Sequence, residues 1–291
     1  MVCFPNSKIN LGLNVVEKRT DGYHNIETVF YPVQWCDVLE VVEDVRGKTE
    51  VGSQKSEVRS RKSENEIKFS ASGWDIDGNA KNNLCVRAIQ LVKKDFQITE
   101  VKMHLHKIIP MGAGLGGGSS DAAFTLKLLN DLFHLKLSND DLKNYANQIG
   151  SDCSFFIDNT PAFASGRGEV LEKINLSLNG YSILIVKPDV HVSTADAYKM
   201  VMPQFPKQSL KEIIQLPITE WSRNLGMKND FEIPVFEKYP VVREIKYNMY
   251  QQGAIYASMS GSGSAVYGIF EKKEFNKNAF KDCVVWEGIL N

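Results

Sequence analysis

A glycine-rich run from Pro110 to Ala123 constrains the fold of this chain more than any other segment, because five of its fourteen residues are glycine. Residues 101–106 before it alternate apolar with polar side chains, which is the period of a half-buried strand. After it, apolar side chains recur at helical spacing between residues 124 and 135. The run is therefore predicted to be a strand-to-helix turn, in which glycine lets backbone N–H groups approach a ligand closely.

Such a turn at a helix N-terminus is suited to bind phosphate. The first N–H groups of a helix have no intrahelical acceptor, and the helix dipole places partial positive charge at the same end. Ser119 and Ser120 are expected to cap the helix or to donate to the same anion. The run lacks the Gly-Lys-Ser/Thr ending of a Walker loop, and no acidic ribose-binding residue follows in a βαβ unit. A linker is disfavoured because strand and apolar helix flank the run.

Composition narrows the class of protein. The chain has 291 residues and a formal net charge of -1, so it has no basic excess to follow a nucleic acid. Its five cysteines are scattered and odd in number, which favours free thiols in a reducing compartment over disulfides or a zinc site. No apolar run is long enough for a membrane span, and no signal peptide is evident. We expect a cytoplasmic protein that binds neither membranes nor nucleic acids.

Strand and helix patterns alternate irregularly along the chain, which predicts an α+β fold. A break into two domains is expected near residues 155–165. The polar segment 44–66 is interpreted as a solvated hairpin or loop without chemistry. The predicted strands are 8–16, 28–33, 38–42, 181–186 and 266–270, and the predicted helices are 82–96, 140–149, 194–202, 207–215 and 235–251.

Four segments carry a family resemblance when they are taken together. They are Pro5-Asn-Ser-Lys-Ile-Asn-Leu11, Asp21-Gly-Tyr-His24, Gly114-Leu-Gly-Gly-Gly-Ser-Ser120 and Gly261-Ser-Gly-Ser-Ala265. In this order they resemble the GHMP kinase superfamily, over almost the whole chain. The first two segments, with Gly150-Ser-Asp152, are similar to the branch whose acceptor is a cytidine diphosphate-linked methylerythritol.

The resemblance implies a two-domain fold and a reaction. Residues 1–160 would form an N-terminal domain like ribosomal protein S5 domain 2, and residues 161–291 a ferredoxin-like C-terminal domain. The reaction implied is transfer of the γ-phosphate of ATP to the 2-hydroxyl of that small-molecule substrate, in the non-mevalonate synthesis of isoprenoid precursors. ATP and Mg²⁺ are the implied cofactors, and a monomer or weak homodimer is expected.

The resemblance also implies which residues hold the nucleotide. Ile108 stands where some relatives carry arginine, so any charge from that position is missing here. No residue is predicted as a metal ligand, and Mg²⁺ would be held by the phosphates, a serine hydroxyl and water. The implied nucleotide-binding residues are Asn83, Leu84, Lys107, Pro110, Gly112, Ala113, Gly114, Leu115, Gly116, Gly117, Gly118, Ser119 and Ser120.

Two further residues match the catalytic pair of the family. Asp152 would accept the proton of the attacking hydroxyl, and Lys8 would keep that carboxylate ionised. Taken alone, Asp152 could equally be an N-cap, and Lys8 would be read as a solvated lysine on a strand face. Ser7, before Lys8, replaces the usual alanine.

The acceptor side is implied by aromatic and polar residues. Tyr23 and His24 match the cytidine-contacting pair, and Tyr198 matches the aromatic residue on the other side of the base. Alternatively, the Tyr-His pair is a turn with a packed aromatic ring, and Tyr198 turns into the core. The remaining substrate-binding candidates are Asn10, Gly261 and Ser262, the last two in a turn expected to pack small residues against the phosphate loop.

Three alternatives stay open at this point. His104 and His106 share a strand face, but without a nearby carboxylate or cysteine an exposed face is favoured over a metal site. A GHMP kinase acting on mevalonate, homoserine or a sugar is the nearest enzymatic alternative. A nucleotide-binding protein without catalytic activity is the alternative from another class.

Overall fold

The computed structural model of the protein describes residues 1–44, 67–76, 78–222, 226–272 and 274–291. Apart from Asp44, the predicted polar segment 44–66 lies outside the described residues. The strands are β1 (Val2–Cys3), β2 (Asn6–Lys18), β3 (His24–Cys36), β4 (Val38–Glu43), β5 (Lys68–Gly73), β6 (Val101–Lys107), β7 (Ala162–Ser165), β8 (Val170–Lys173), β9 (Ser182–Pro188), β10 (Tyr256–Met259), β11 (Val266–Phe270) and β12 (Cys283–Ile289). The α-helices are α1 (Leu84–Asp95), α2 (Gly117–Leu132), α3 (Asn139–Ile149), α4 (Phe155–Asp158), α5 (Thr194–Met200), α6 (Leu210–Ile213), α7 (Glu232–Lys238) and α8 (Pro240–Gln251).

The glycine-rich run joins β6 to α2, as its flanking patterns predict. Strand β6 belongs to a sheet with the order β1-β4-β6-β5. Its apolar side chains Val101, Met103 and Leu105 share one core with Ile89 of α1 and Leu126 of α2. Because alternate residues of a strand point to one face, a single apolar side is enough to seat both helices on this sheet. This packing fixes where α2 begins, and therefore where its N–H groups point.

A second sheet, with the order β2-β3-β7-β8, carries the predicted first strand. Ile9 and Leu11 are buried as expected, but Lys8 and Asn10 on the other face are buried too, at 3% and 2% exposure. Reading Lys8 as a solvated lysine is therefore wrong. Alternation along a strand identifies an apolar face, but it does not show whether the polar face meets water or another part of the chain.

The C-terminal part contains an antiparallel sheet with the order β10-β11-β9-β12. Helices α7 and α8 share its core through Val235 and Met249. The predicted single helix 235–251 is wrong, because the chain breaks at Tyr239, which has φ −130° and ψ 79°. Pro240 lacks an N–H and disfavours helical backbone at the residue before it, so α8 starts afresh with proline in its first turn.

The expected boundary at residue 160 stays a prediction, and the strand pairing favours a later one. Strand β7 (Ala162–Ser165) pairs antiparallel with β3, and β8 (Val170–Lys173) pairs antiparallel with β7. A cut at residue 160 would divide this sheet. We therefore propose that the N-terminal domain extends through Lys173. In the described part of the chain, no helix is long and apolar enough to cross a membrane.

Candidate active site

The phosphate loop is built from glycines in left-handed backbone. Gly112, Gly114 and Gly116 have φ values of 65°, 80° and 71°, a region that side chains with a Cβ rarely adopt. Gly116 is the N-cap of α2, and it provides no side-chain cap. The expectation that Ser119 or Ser120 caps this helix is therefore wrong, since both lie inside its first turn.

The second glycine-serine turn packs directly on the phosphate loop, which confirms the packing expected from its small residues. A Cβ added to Gly114 would lie 1.8 Å from the carbonyl oxygen of Ser260, and one on Gly263 would lie 2.2 Å from the backbone of Ala113. The Ser260 hydroxyl donates to the Gly114 carbonyl at 2.9 Å, and Ala265 N–H donates to Ala113 at 3.2 Å. The C-terminal part thus holds the loop in place from behind.

A buried ion cluster lies beneath the loop. Lys107 donates to a carboxylate oxygen of Asp121, near the start of α2, at 2.7 Å and to one of Asp37, and each of these residues is at most 2% exposed. The other oxygen of Asp37 accepts the N–H groups of Ile108 and Ile109 at 2.6 and 2.8 Å. Sequence reasoning missed both aspartates, since each stands in an ordinary local pattern. They tie the start of the loop to the start of α2.

The cluster changes the titration of its members. Desolvation, with repulsion from Asp37, raises the pKa of Asp121 to about 7 although Lys107 opposes the shift. Burial lowers the pKa of Lys107, but the two carboxylates outweigh it and hold that pKa above its ordinary value. Lys107 is thus a buried, paired ammonium at the base of the loop.

Three adjoining cavities follow the loop. The first, of about 320 Å³, is lined by Asn83, Leu84, Lys107 and Gly118 among others, and the Asn83 side chain also caps α1 by accepting Cys85 N–H at 2.9 Å. The second runs along the loop itself and shares Leu84, Lys107 and Gly118 with the first. Its predicted lining residues are Leu84, Lys107, Pro110, Gly112, Ala113, Gly114, Leu115, Gly116, Gly117, Gly118 and Ser119.

The third cavity, of about 780 Å³, shares Gly114 and Gly116 with the second. Ser120, by contrast, is fully buried, and its hydroxyl has no hydrogen-bond partner within the described residues. The predicted residues that line the third cavity are Lys8, Asn10, Tyr23, His24, Gly114, Gly116, Asp152, Tyr198, Gly261 and Ser262.

Lys8 and Asp152 form an ion pair in the third cavity, and Lys8 lies against Gly116, which the second and third cavities share. Lys8 Nζ lies 3.6 Å from Oδ2 of Asp152, whose side chain is 34% exposed, and 4.8 Å from the ring centroid of Phe30. Burial lowers the pKa of Lys8, and the Asp152 carboxylate opposes that shift. The pair therefore presents an accessible carboxylate beside a buried cation. Asp152 does not cap α4, which begins after Ser154.

Asn10 anchors the floor of this site. Its Oδ1 accepts from Lys8 Nζ, and its Nδ2 donates to the Thr28 hydroxyl at 2.9 Å. Its backbone carbonyl accepts from the hydroxyl of Tyr267, in β11, at 2.7 Å. Asn10 therefore orients the ammonium group of Lys8 and links β2 to the C-terminal sheet.

Aromatic rings close the far end of the third cavity. The rings of His24 and Tyr198 are stacked, with centroids 4.9 Å apart, and Tyr198 meets Phe231 edge to face. Tyr23 is 57% exposed in a turn where its N–H donates to Asp21 at 3.1 Å. Partial burial and Lys18 lower the pKa of His24, which favours a neutral ring that can both donate and accept.

Sequence reasoning missed several residues of this cavity. The local sequence does not single out Lys18, Thr194, Lys199 or Phe231. Polar residues at a strand end or in a short helix, and single apolar residues beside a helix, are common in any fold. Arg167 carried a local signal, since it stands between Gly166 and Gly168 in a tight turn. All five line the cavity beside the predicted residues.

Among the described residues, no group of three or more histidine, cysteine or acidic side chains is placed to hold a metal ion. His104 and His106 instead lie within hydrogen-bond distance of the Ser72 hydroxyl, at 2.9 Å each.

Comparison with known proteins identifies the class. Residues 83–167 match the GHMP kinases N-terminal domain, and residues 209–282 match the GHMP kinases C-terminal domain. The first match contains the phosphate loop and Asp152, and the second contains the glycine-serine turn behind the loop. The protein has the two-domain α+β fold of a GHMP kinase, and it is an alcohol phosphotransferase.

Relatives narrow the class to one family. The chain is 49% identical to the 4-diphosphocytidyl-2-C-methyl-D-erythritol kinase of Parabacteroides distasonis, over the full length of both, and 52% identical to that of Bacteroides thetaiotaomicron, over 93% of this chain and 92% of the relative. A crystal structure of 4-(cytidine 5'-diphospho)-2C-methyl-D-erythritol kinase is similar at a TM-score of 0.74 and 29% identity, covering 100% of this chain and 99% of the other. The chain belongs to the 4-diphosphocytidyl-2-C-methyl-D-erythritol kinase family.

Proposed function

We propose that this protein transfers the γ-phosphate of ATP to the 2-hydroxyl of 4-diphosphocytidyl-2-C-methyl-D-erythritol, a step of non-mevalonate isoprenoid precursor synthesis. The observation that carries the proposal is the continuity of the three cavities. A nucleoside site, a phosphate loop and a cavity with an aromatic end adjoin in that order, and Gly114 and Gly116 border both of the last two. The Lys8–Asp152 pair lies where donor phosphate and acceptor would meet.

The nucleotide is proposed to lie along the first two cavities. Leu84 and the neighbouring apolar side chains would contact the base, and backbone N–H groups from Gly112 to Ser119 would hold the phosphates at the positive end of α2. Lys107 lies beneath this site. Its buried carboxylate partners, Asp37 and Asp121, hold the start of the loop to the start of α2.

Phosphoryl transfer needs positioning and charge stabilisation more than covalent chemistry. Asp152 is proposed to accept the proton of the 2-hydroxyl, because its carboxylate is accessible from the acceptor cavity. Lys8 would pair with that carboxylate and offset negative charge on the phosphoryl group during transfer. Asn10 orients Lys8 through its side-chain oxygen.

The cytosine is proposed to bind at the aromatic end of the third cavity. The rings of His24 and Tyr198 are 4.9 Å apart, which leaves no room for a base between them, so Tyr198 would shift or the base would stack on Tyr23. A neutral His24 offers a donor and an acceptor to the base edge. Gly261 and Ser262 would border the methylerythritol end.

Mg²⁺ is proposed to accompany ATP. Ser119 lines the loop cavity, and the buried Oγ of Ser120 has no hydrogen-bond partner among the described residues, which fits a hard cation held mainly by phosphates, a serine hydroxyl and water. Bound Mg²⁺ would neutralise charge on the phosphates. We also keep a cytoplasmic location and a monomer or weak homodimer as predictions.

A coupled assay of ADP release tests this proposal. The purified protein, ATP and Mg²⁺ are mixed in turn with the cytidyl substrate, mevalonate, homoserine and galactose. We expect ADP release only with the cytidyl substrate and not with the other three alcohols. Preferred turnover of another alcohol would replace the substrate, and ATP binding without turnover of any alcohol would favour a catalytically silent protein.

A further inference from the structure

We propose that Arg167 is a binding residue for the diphosphate of the acceptor and lets the cavity distinguish a nucleoside diphosphate from a nucleoside. This inference rests on the proposed function. Arg167 lines the third cavity together with the aromatic residues of one end and Asp152.

A two-glycine turn holds Arg167 at this position. Gly166 and Gly168 have φ values of 66° and 108°, so the chain reverses sharply between β7 and β8. The Gly166 carbonyl accepts the N–H of Ile26, two residues after His24, at 2.7 Å. A Cβ on Gly168 would lie 3.5 Å from Oδ1 of Asp152. The turn therefore touches both the strand that carries His24 and the proposed catalytic carboxylate.

The side chain of Arg167 reaches toward the cytidine end. The carbon at the centre of its guanidinium group lies 5.1 Å from the ring centroid of Tyr23. Its Nε lies 3.2 Å from Oε1 of Glu169. One edge of the guanidinium is thus occupied, and among the described residues its two terminal nitrogens have no hydrogen-bond partner. Stacking and the Glu169 contact orient the group before a ligand arrives, which reduces the entropy lost on binding.

The chemistry of the acceptor fits this position. Its diphosphate lies between the cytidine and the methylerythritol, so a substrate that contacts Tyr23 at one end and Asp152 at the other places its phosphates between them. Arginine presents paired N–H donors that match phosphate oxygens. Lys18 and Lys199 also line the cavity, but their ammonium groups are point charges without this fork.

The test compares Arg167→Gln with the unmodified protein for binding of cytidine, CMP and CDP by calorimetry. We expect CDP to bind about tenfold more weakly to the variant, as for loss of one partly exposed charge-assisted contact, and cytidine to bind equally well. Arg167→Lys keeps the charge but not the fork, and should fall between. In the unmodified protein, CDP affinity should decline more steeply with salt than in Arg167→Gln.

Controls separate the alternatives. Arg243→Gln removes the same charge from an exposed face of α8 and should bind all three ligands normally. An equal loss for cytidine and CDP would show that Arg167 only supports Tyr23, and unchanged CDP binding would remove it from the site. Either result overturns the inference while the kinase assignment stands. Failure of the unmodified protein to bind CDP would instead overturn the proposed function. An unchanged KM for ATP verifies that the variants are folded.

Discussion

Replacing Lys107 with methionine is the most informative perturbation of this protein. Lys107 is 2% exposed and pairs with two carboxylates that are equally buried. Methionine fills a similar volume but leaves Asp37 and Asp121 without a cation. Removing one partner of a buried ion pair costs about 3–5 kcal/mol, because the remaining charge has neither solvent nor a counterion.

The magnitude translates into a measurable change in Tm. With an unfolding entropy of about 2.1 cal/mol/K per residue and 291 residues unfolding together, the loss corresponds to a decrease of about 5–8 °C. Differential scanning calorimetry at pH 7 measures it. Lys93→Met is the matched control, since Lys93 pairs with Glu100 at 2.8 Å near the surface and its loss should cost less than about 1 kcal/mol.

A triple variant separates lost pairing from lost packing. The variant combines Asp37→Asn, Lys107→Met and Asp121→Asn, which removes all three charges. The amide oxygen introduced by Asp37→Asn can still accept the N–H groups of Ile108 and Ile109. We expect much of the lost stability to return, because replacing all members of a buried ionic group together often leaves the free energy of unfolding unchanged. The reasoning is refuted if Lys107→Met is as stable as the unmodified protein, or if the triple variant is no more stable than Lys107→Met.

Three further predictions follow from the site. Asp152→Asn should lower kcat by about 10²–10⁴-fold with little change in the KM for ATP, because proton acceptance is lost; it should also lower the pKa of Lys8 further, since the opposing carboxylate is gone. The pKa of Asp121 in the folded protein is raised to about 7, so its contribution to stability is full below its unfolded pKa of 3.8 and is lost as pH rises through about 7. The free energy of unfolding, measured by urea titration and compared with that of Asp121→Asn, should therefore decline between these two pH values. Gly114→Ala should raise the KM for ATP by about tenfold, because its Cβ would overlap a backbone carbonyl, whereas Gly253→Ala, also at positive φ but with open space around it, should not.

Each of these predictions has a contrary result. Near-normal turnover by Asp152→Asn would remove Asp152 from proton transfer. A constant difference between the two unfolding free energies from pH 4 to pH 7 would show that Asp121 titrates normally. Equal effects of the two glycine substitutions on ATP binding would show that the loss comes from backbone strain at positive φ in general, and not from the contact of Gly114 with the second turn.

Local patterns predicted the elements that rest on strong periodicity. The alternation in β6 and the helical spacing after residue 123 placed the phosphate loop correctly between a strand and a helix. They failed where a single residue overrides the pattern, as at Pro240, which divides the predicted helix 235–251. They also misplaced the helix cap, because a left-handed glycine replaces the hydroxyl cap that Ser119 suggested.

The long-range contacts of the site lay beyond such patterns. Asp37 meets Lys107 across 70 positions of sequence, and Asn10 meets Tyr267 across 257. Nothing in the neighbourhood of either aspartate of the cluster distinguishes it from a solvated one. Arg167 lines the third cavity because β7, which precedes its turn, pairs with β3.

The sequence by itself determined the phosphate loop, because a strand-to-helix turn depends on neighbours close in the chain, and its four motifs indicated the class of kinase and the side chains predicted for transfer. Tertiary structure decided which of those side chains are buried, which are paired and which share a cavity. Burial and pairing depend on segments far apart in the chain, since desolvation and Coulomb interactions act through space. For this reason Lys8, a polar residue on a strand face by local pattern, became a buried cation beside Asp152.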